Sequence, residues 1–157
     1  MGLLAFATAG CGLADRVTGV QGYTQSGESM EPTIKKGQHF KAHTVNGDYV
    51  PRVGDIVVYR PPAGWGDTEP RVSRVIGVPG SSVRCCDSGG NVVVDGKPLN
   101  EPYLTSRPAS SQMFDIRVPA GRIWIMSDHR GVAVDSRAHQ DAPGAGTIAT
   151  ADVIGKL

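Results

Sequence analysis

With 157 residues, a formal net charge of +1 and 6% aromatic side chains, the chain has room for one ordinary hydrophobic core and not for two independent ones. Its lysines and arginines are scattered rather than run together, so no electrostatic footprint for nucleic acid is present and none is expected as a partner. The 21 glycines and 11 prolines argue for many short strands and turns and against a helical bundle.

Residues 1–14, MGLLAFATAGCGLA, are apolar and uncharged. The run is shorter than the roughly 20 residues that a membrane span needs, and no basic residue precedes it as in a secretory signal. It is expected to act as a short membrane anchor. Residues 15–25, polar with two glycines, then read as a connector. The expected division is anchor and connector at 1–22 and a β domain at 23–157.

Strand signals follow at short spacing. Residues 39–43 are one. Residues 55–59 are the clearest, entered from the turn Pro51-Arg52-Val53-Gly54. Residues 61–67 carry two prolines and two glycines and read as a loop. Residues 71–78 read as an alternating strand that ends at Pro79-Gly80. Residues 83–86 and 91–94 flank Asp87-Ser88-Gly89-Gly90, a hairpin signal, and Asp95-Gly96 opens a further turn into Lys97-Pro98-Leu99. Residues 101–112 read as a polar surface loop. Strands are expected at 114–118 and 123–126 around Pro119-Ala120-Gly121, a loop at 138–146 and a closing strand at 153–157. Beyond the N-terminus no helical period is sustained for ten residues.

Cys11, Cys85 and Cys86 form no disulfide framework, being odd in number with two adjacent members. A bond between neighbours is strained, so buried or edge thiols are expected. His39, His43, His129 and His139 lack partners at zinc-like spacing, so neither metal nor cofactor is expected.

Chemistry concentrates in three stretches. The first is Gly27-Glu28-Ser29-Met30-Glu31-Pro32-Thr33-Ile34. A serine between a small flexible residue and a Met-x-Pro-Thr turn reads as a nucleophile at a loop-to-strand junction. Such a serine needs an exposed hydroxyl and its own backbone N–H aimed at the developing oxyanion. Gly27 lets the chain approach a substrate backbone closely. Met30 and Pro32 are expected to set the turn and pack beside the site. The second stretch is Arg74-Val75-Ile76-Gly77-Val78-Pro79-Gly80. The third is Ser127-Asp128-His129-Arg130 with Asp135-Ser136-Arg137. The alternating charges Asp128, Arg130, Asp135 and Arg137 are expected to form an ion-pair network bracing the site, since buried charges need partners.

The three stretches, in this order, resemble the boxes of type I signal peptidases, membrane-bound serine endopeptidases that remove signal peptides. The first alone also resembles the self-cleaving repressors of the LexA kind. Gly54-Asp55-Ile56-Val57-Val58, Val118-Pro119-Ala120-Gly121 and Gly146-Thr147-Ile148 add smaller agreements with the peptidases. The resemblance implies a mainly β, antiparallel catalytic domain with a small hairpin insertion at about 83–117. It implies a membrane-associated endopeptidase with its domain on the extracytoplasmic side, cutting preproteins after small residues in an Ala-x-Ala context. Preprotein signal peptides and the membrane are then its partners, with substrate lying as an added strand in a shallow groove beside Ser29. Arg74 joins the supporting set.

The chain also departs from the family pattern. Both families pair the serine with a lysine base, and in the signal peptidases that lysine immediately precedes the arginine of the second box. Here the position is Ser73, expected near Ser29. Ser81 stands for the last Asp of Pro-Gly-Asp, Ser127 for the first Gly of the third box, and Ala133 for a serine that orients the lysine in some members. Some relatives also carry a serine donor at the position of Gly27, which has no side chain to donate. A hydroxyl cannot take the Ser29 proton as a neutral amine can, and a general base is worth roughly 10²–10⁴ in rate. His129 is the candidate replacement base; Lys35 and Lys36 follow Ser29 too closely along an expected strand to reach back. Three readings follow: a signal peptidase with reduced or lost activity, an inactive binder of signal peptides or other extended segments, and a LexA-like self-cleaving regulator.

Overall fold

The structure, a computed structural model, describes residues 19–157; the apolar run expected as an anchor lies outside them. Among the described residues no helix is long and apolar enough to cross a membrane. The regular elements are short strands: β1 (Val20–Thr24), β2 (His39–Thr44), β3 (Ile56–Tyr59), β4 (Arg71–Gly77), β5 (Ser82–Cys85), β6 (Val92–Val94), β7 (Lys97–Pro98), β8 (Phe114–Arg117), β9 (Arg122–Met126), β10 (Ile148–Ala149) and β11 (Val153–Lys156). The helical pieces among them are single 3-10 turns at Ala63–Trp65, Ser136–His139 and Thr150–Asp152. The many short strands expected from the glycine- and proline-rich composition form, and the fold is mainly β and antiparallel, as the family resemblance implies.

Seven strands make the main sheet in the order β1-β2-β11-β3-β4-β9-β10, and four make a smaller one in the order β7-β6-β5-β8. Two interior strands, β4 and β9, are buried on both faces. Ile123, Trp124, Ile125 and Met126 are all fully buried, which is why β9 reads as a continuous apolar run rather than an alternation. The alternation expected for 71–78 gives way for the same reason: Val72, Ser73, Val75, Ile76 and Gly77 are buried together.

One core lies on the main sheet, from Val57, Tyr59, Val75, Ile123, Ile125, Ile148 and Val153. The other joins the two sheets, with Ile76, Trp124 and Met126 packed against Val83, Val92 and Phe114. The smaller sheet is built on the β5–β6 hairpin, with Val83 opposite Val94. Its turn is held by the Asp87 carboxylate, which accepts N–H bonds from Gly89 and Asn91 at 2.9 Å each.

Three expectations need correction, and two short strands are unexpected. β1 falls inside the span read as a connector; it pairs with β2 from Val20 opposite His43 to Thr24 opposite His39, and nothing in its polar sequence announces a strand. The two-residue strands β7 and β10 are too short to carry a period. The loop at 101–112 is not wholly on the surface, because Glu101, Ala109 and Ser110 are buried. Cys85 and Cys86 are joined by a disulfide rather than held as thiols.

Gly77 ends β4 where the chain leaves the main sheet for the smaller one. A Cβ on it would lie 2.6 Å from Val83 Cγ2 and 2.9 Å from Val118 Cγ2. Val83 and Val118 are fully buried and cannot withdraw. Gly77→Ala is therefore expected to destabilise the fold by about 1–3 kcal/mol through overpacking. Gly22→Ala, where a Cβ meets nothing within 4 Å, should stay within about 0.5 kcal/mol. Urea unfolding of both variants decides it, and equal midpoints would show that the sheets are not wedged together at Gly77.

Candidate active site

Ser29 stands in the loop between β1 and β2. The loop closes on itself: Gln25 N–H donates to Gln38 O at 3.0 Å, Gly37 N–H to Gln25 O at 2.7 Å, and Ile34 N–H to Met30 O at 2.9 Å. Met30 anchors it from below, fully buried with Ile34 and Val72. Pro32 is exposed, so it shapes the turn without the packing expected of it. Gly27 has open space where a Cβ would stand. Ser29 is half-buried and lines a groove of about 430 Å³. One side of the groove is the end of β1 with residues 25–29; the other is Asp67 and residues 69–72 leading into β4, with Ser127, Val132 and Val134 completing it.

The third box docks on this loop from the other side. His129 N–H donates to Ser29 O at 2.8 Å. Thr33 Oγ1 donates to Asp128 Oδ2. Asp128 in turn holds Arg74 through two bonds, Nε to Oδ1 at 2.8 Å and Nη2 to Oδ2 at 2.6 Å. Burial works against the Arg74 charge, but the Asp128 bond and charge outweigh it and hold the guanidinium pKa above its ordinary value. Arg74 also donates to Gly54 O at 3.0 Å and lies 3.9 Å over the Tyr103 ring.

The expected ion-pair network therefore forms, with different partners. Asp135 pairs with Arg137 through two bonds of 2.8 Å. Asp128 takes Arg74. Arg130 goes to Glu101 at 2.5 Å, with both side chains almost wholly buried. Arg130 also donates to Ser127 O at 2.9 Å and Ala109 O at 3.1 Å, and the Asp135 carboxylate accepts the Ser127 N–H at 3.0 Å. Ser127 is thus gripped through both backbone groups. Sequence reasoning missed Glu101 and Thr33. A partner 29 positions away leaves no trace in local spacing, although Thr33 stood in the nucleophile stretch itself. Burial, followed by the Glu101 charge, raises the pKa of Tyr103, whose hydroxyl donates to Glu101 at 2.9 Å.

Ser73, where the resemblance leads one to expect a lysine, is fully buried on β4 and bonded to Ser127 Oγ at 2.9 Å. The two hydroxyls satisfy each other. Among the described residues Ser29 Oγ has a single side-chain hydrogen bond, from Gln25 Nε2 at 3.3 Å, and an amide N–H is a donor, not a base. His129 Nδ1 donates to Glu28 O at 3.2 Å, which leaves Nε2 as the ring's acceptor, and among the described residues no hydrogen bond joins that ring to Ser29 Oγ. Residues 31–37 are turns rather than the expected strand, and Lys36 lines the groove. Its ammonium is paired at 3.7 Å with Glu28 and mostly exposed.

An antiparallel β domain with a half-buried serine lining a groove, braced by buried ion pairs, fits a peptidase-like class. The chain belongs to the signal peptidase, peptidase S26 family, whose family model matches residues 1–157. It is 31% identical over 185 residues to signal peptidase I of Mycobacterium tuberculosis, covering 85% of this chain and 62% of that protein. It is 34% identical over 115 residues to the probable signal peptidase I-1 of a Synechocystis species, covering 69% of this chain and 57% of that protein. To signal peptidase I T of Bacillus subtilis it is 31% identical over 145 residues, with 85% and 69% covered. The chain thus spans less than two thirds of the first two relatives. A crystal structure of a signal peptidase I from Enterococcus faecalis shares the fold, with TM-score 0.55, 24% identity, and 69% of this chain and 97% of that one covered.

Removing one member of the Arg130–Glu101 pair strands a buried charge. Arg130→Met is expected to cost about 3–5 kcal/mol, while Arg130→Met with Glu101→Leu should recover most of that loss. Chemical denaturation of the two single variants and the double variant closes the cycle. Equal loss in single and double variants would mean that the pair does not act as a unit.

Proposed function

We propose that this chain is a signal peptidase I-type serine endopeptidase domain that takes preprotein segments as an extended strand in the Ser29 groove and turns them over slowly. The observation that carries the slow turnover is the Ser73–Ser127 hydrogen bond. It fills the place of the base with two mutually satisfied hydroxyls, and among the described residues no side chain accepts a hydrogen bond from Ser29 Oγ. Ser29 is the nucleophile, its backbone N–H serves the oxyanion, and Asp128, Arg74, Asp135, Arg137 and Arg130 hold the loop and the third box in register. That N–H has no acceptor among the described residues, as the role requires.

Binding without turnover is favoured by the same bond, because the groove is complete whether or not a base is present. In this second reading the domain holds a signal peptide or another extended segment and releases it uncut. The N-terminal residues 1–14 associate the domain with a membrane, and the groove faces the extracytoplasmic side; this part of the proposal rests on their apolar sequence and on the family.

Supplying the base tests the proposal. Ser73→Lys alone must fit an amine beside the Ser127 hydroxymethyl, which stands 2.9 Å from the present hydroxyl. Ser73→Lys with Ser127→Gly makes the room. The double variant is expected to cleave a preprotein about 10²–10⁴-fold faster than the wild type, and faster than Ser73→Lys alone. The neutral amine is the active form, so its rate should rise with pH through a lysine pKa lowered by burial. Ser29→Ala should abolish cleavage. Product mass spectrometry reads the cut site. Fast wild-type cleavage that survives Ser73→Ala would show that another base works here. Tight preprotein binding with no gain in either lysine variant would favour the second reading.

A further inference from the structure

The nucleophile's hydroxyl has one neighbour that the family pattern does not account for. Gln25 lies four residues before Ser29, is 5% exposed, and lines the groove with it. Its backbone is locked by bonds to Gln38 and Gly37 at 3.0 and 2.7 Å, so the carboxamide departs from a fixed point. Its Nε2 donates to Ser29 Oγ at 3.3 Å. A buried glutamine placed against a nucleophile costs desolvation that only a specific hydrogen bond offsets.

The geometry points to Gln25 as a positioning residue for Ser29. A hydroxyl is a rotor with one proton and two lone pairs. When the amide occupies one lone pair, the O–H must point away from the Gln25 wall, toward the rest of the site. Among the described residues no other side chain is hydrogen-bonded to this rotor: Gly27 has no side chain, and Ser127 Oγ is engaged with Ser73. In attack on a peptide carbonyl, the Oγ–C bond forms and the C=O π pair moves onto oxygen. The O–H proton leaves to water in the wild type, or to the amine in the Ser73→Lys variant. Gln25 remains a donor throughout, so it orients Oγ without taking part in the proton transfer. The inference rests on the reading of Ser29 as the nucleophile.

Gln25→Met keeps the length of the side chain and removes the donor. In full-length Ser73→Lys/Ser127→Gly, this change is expected to lower kcat about 3- to 10-fold, the rate equivalent of one neutral hydrogen bond, with KM unchanged. A second arm needs no base. A tripeptide boronic acid of the Ala-x-Ala type should add to Ser29 of the wild-type chain: the Oγ–B bond forms, the hydroxyl proton goes to water, and boron becomes a tetrahedral anion seen by 11B NMR. Gln25→Met should weaken this adduct by the same factor and leave binding of the corresponding ordinary peptide unchanged.

Unchanged kcat and unchanged boronate affinity would overturn the role. So would equal weakening of boronate and ordinary peptide, which would make Gln25 a plain groove wall, and so would a wild-type Ser29 that forms no adduct. If instead the lysine variants cleave nothing while the boronate arm behaves as expected, the endopeptidase reading fails and the positioning of Ser29 stands.

Discussion

The carboxylate of Asp128 is the joint on which the site depends. It is 2% exposed and carries a charge that the protein interior cannot leave unpaired. Arg74 meets it with a two-bond fork from β4, and Thr33 meets it from the Ser29 loop. A single buried anion therefore welds three parts of the chain that are far apart in sequence. The planar fork matters as much as the charge, because two parallel N–H bonds fix orientation as well as distance. Without this joint the residues 25–38 loop would keep Met30 in its apolar seat but lose its register against the third box.

Around that joint the remaining charges divide the labour. Asp135 and Arg137 form a local clamp within three positions, and Asp135 spends one oxygen on the Ser127 N–H. Arg130 and Glu101 reach across to the smaller sheet, where the segment near Ala109 is also held by Arg130. The smaller sheet is thus coupled to the site by a buried pair as well as by the apolar contact at Gly77. Buried pairs of this kind are weak evidence for stability, since apolar residues of similar volume often do as well. Their contribution here is geometric: they hold Ser127 by both of its backbone groups.

Much of this was legible in the sequence. The strands at 39–43, 55–59, 71–78, 83–86, 91–94, 114–118, 123–126 and 153–157 each left a local signal, an apolar run or alternation bounded by glycine or proline turns, and each lies at a strand of the structure. β1 left none, because an edge strand of Val20-Gln21-Gly22-Tyr23-Thr24 is held by its register with β2 rather than by its own pattern. The charged residues of the third box were legible as a brace, but not their partners: pairing with Arg74 and Glu101 is set by topology, and local spacing carries no record of it. Gln25 was passed over for a related reason. It looked like the last polar residue of a connector, and only the closing of the loop by Gly37 and Gln38 turns it toward Ser29.

A serine at position 73 and an intact fold are compatible for reasons of local energetics. A lysine buried at position 73 must be neutral to act, so its removal takes no favourable charge out of the core. What replaces it is a pair of hydroxyls that satisfy each other, leaving neither Ser73 nor Ser127 among the buried atoms without a partner. Catalysis at this position asks for an amine that is costly to bury, whereas stability asks only that polar atoms be paired. The brace around Asp128 is satisfied independently of either choice. The groove, the loop and the ion pairs can therefore remain intact with two hydroxyls in place of an amine, and the scaffold that places Ser29 is energetically separable from the chemistry proposed for it.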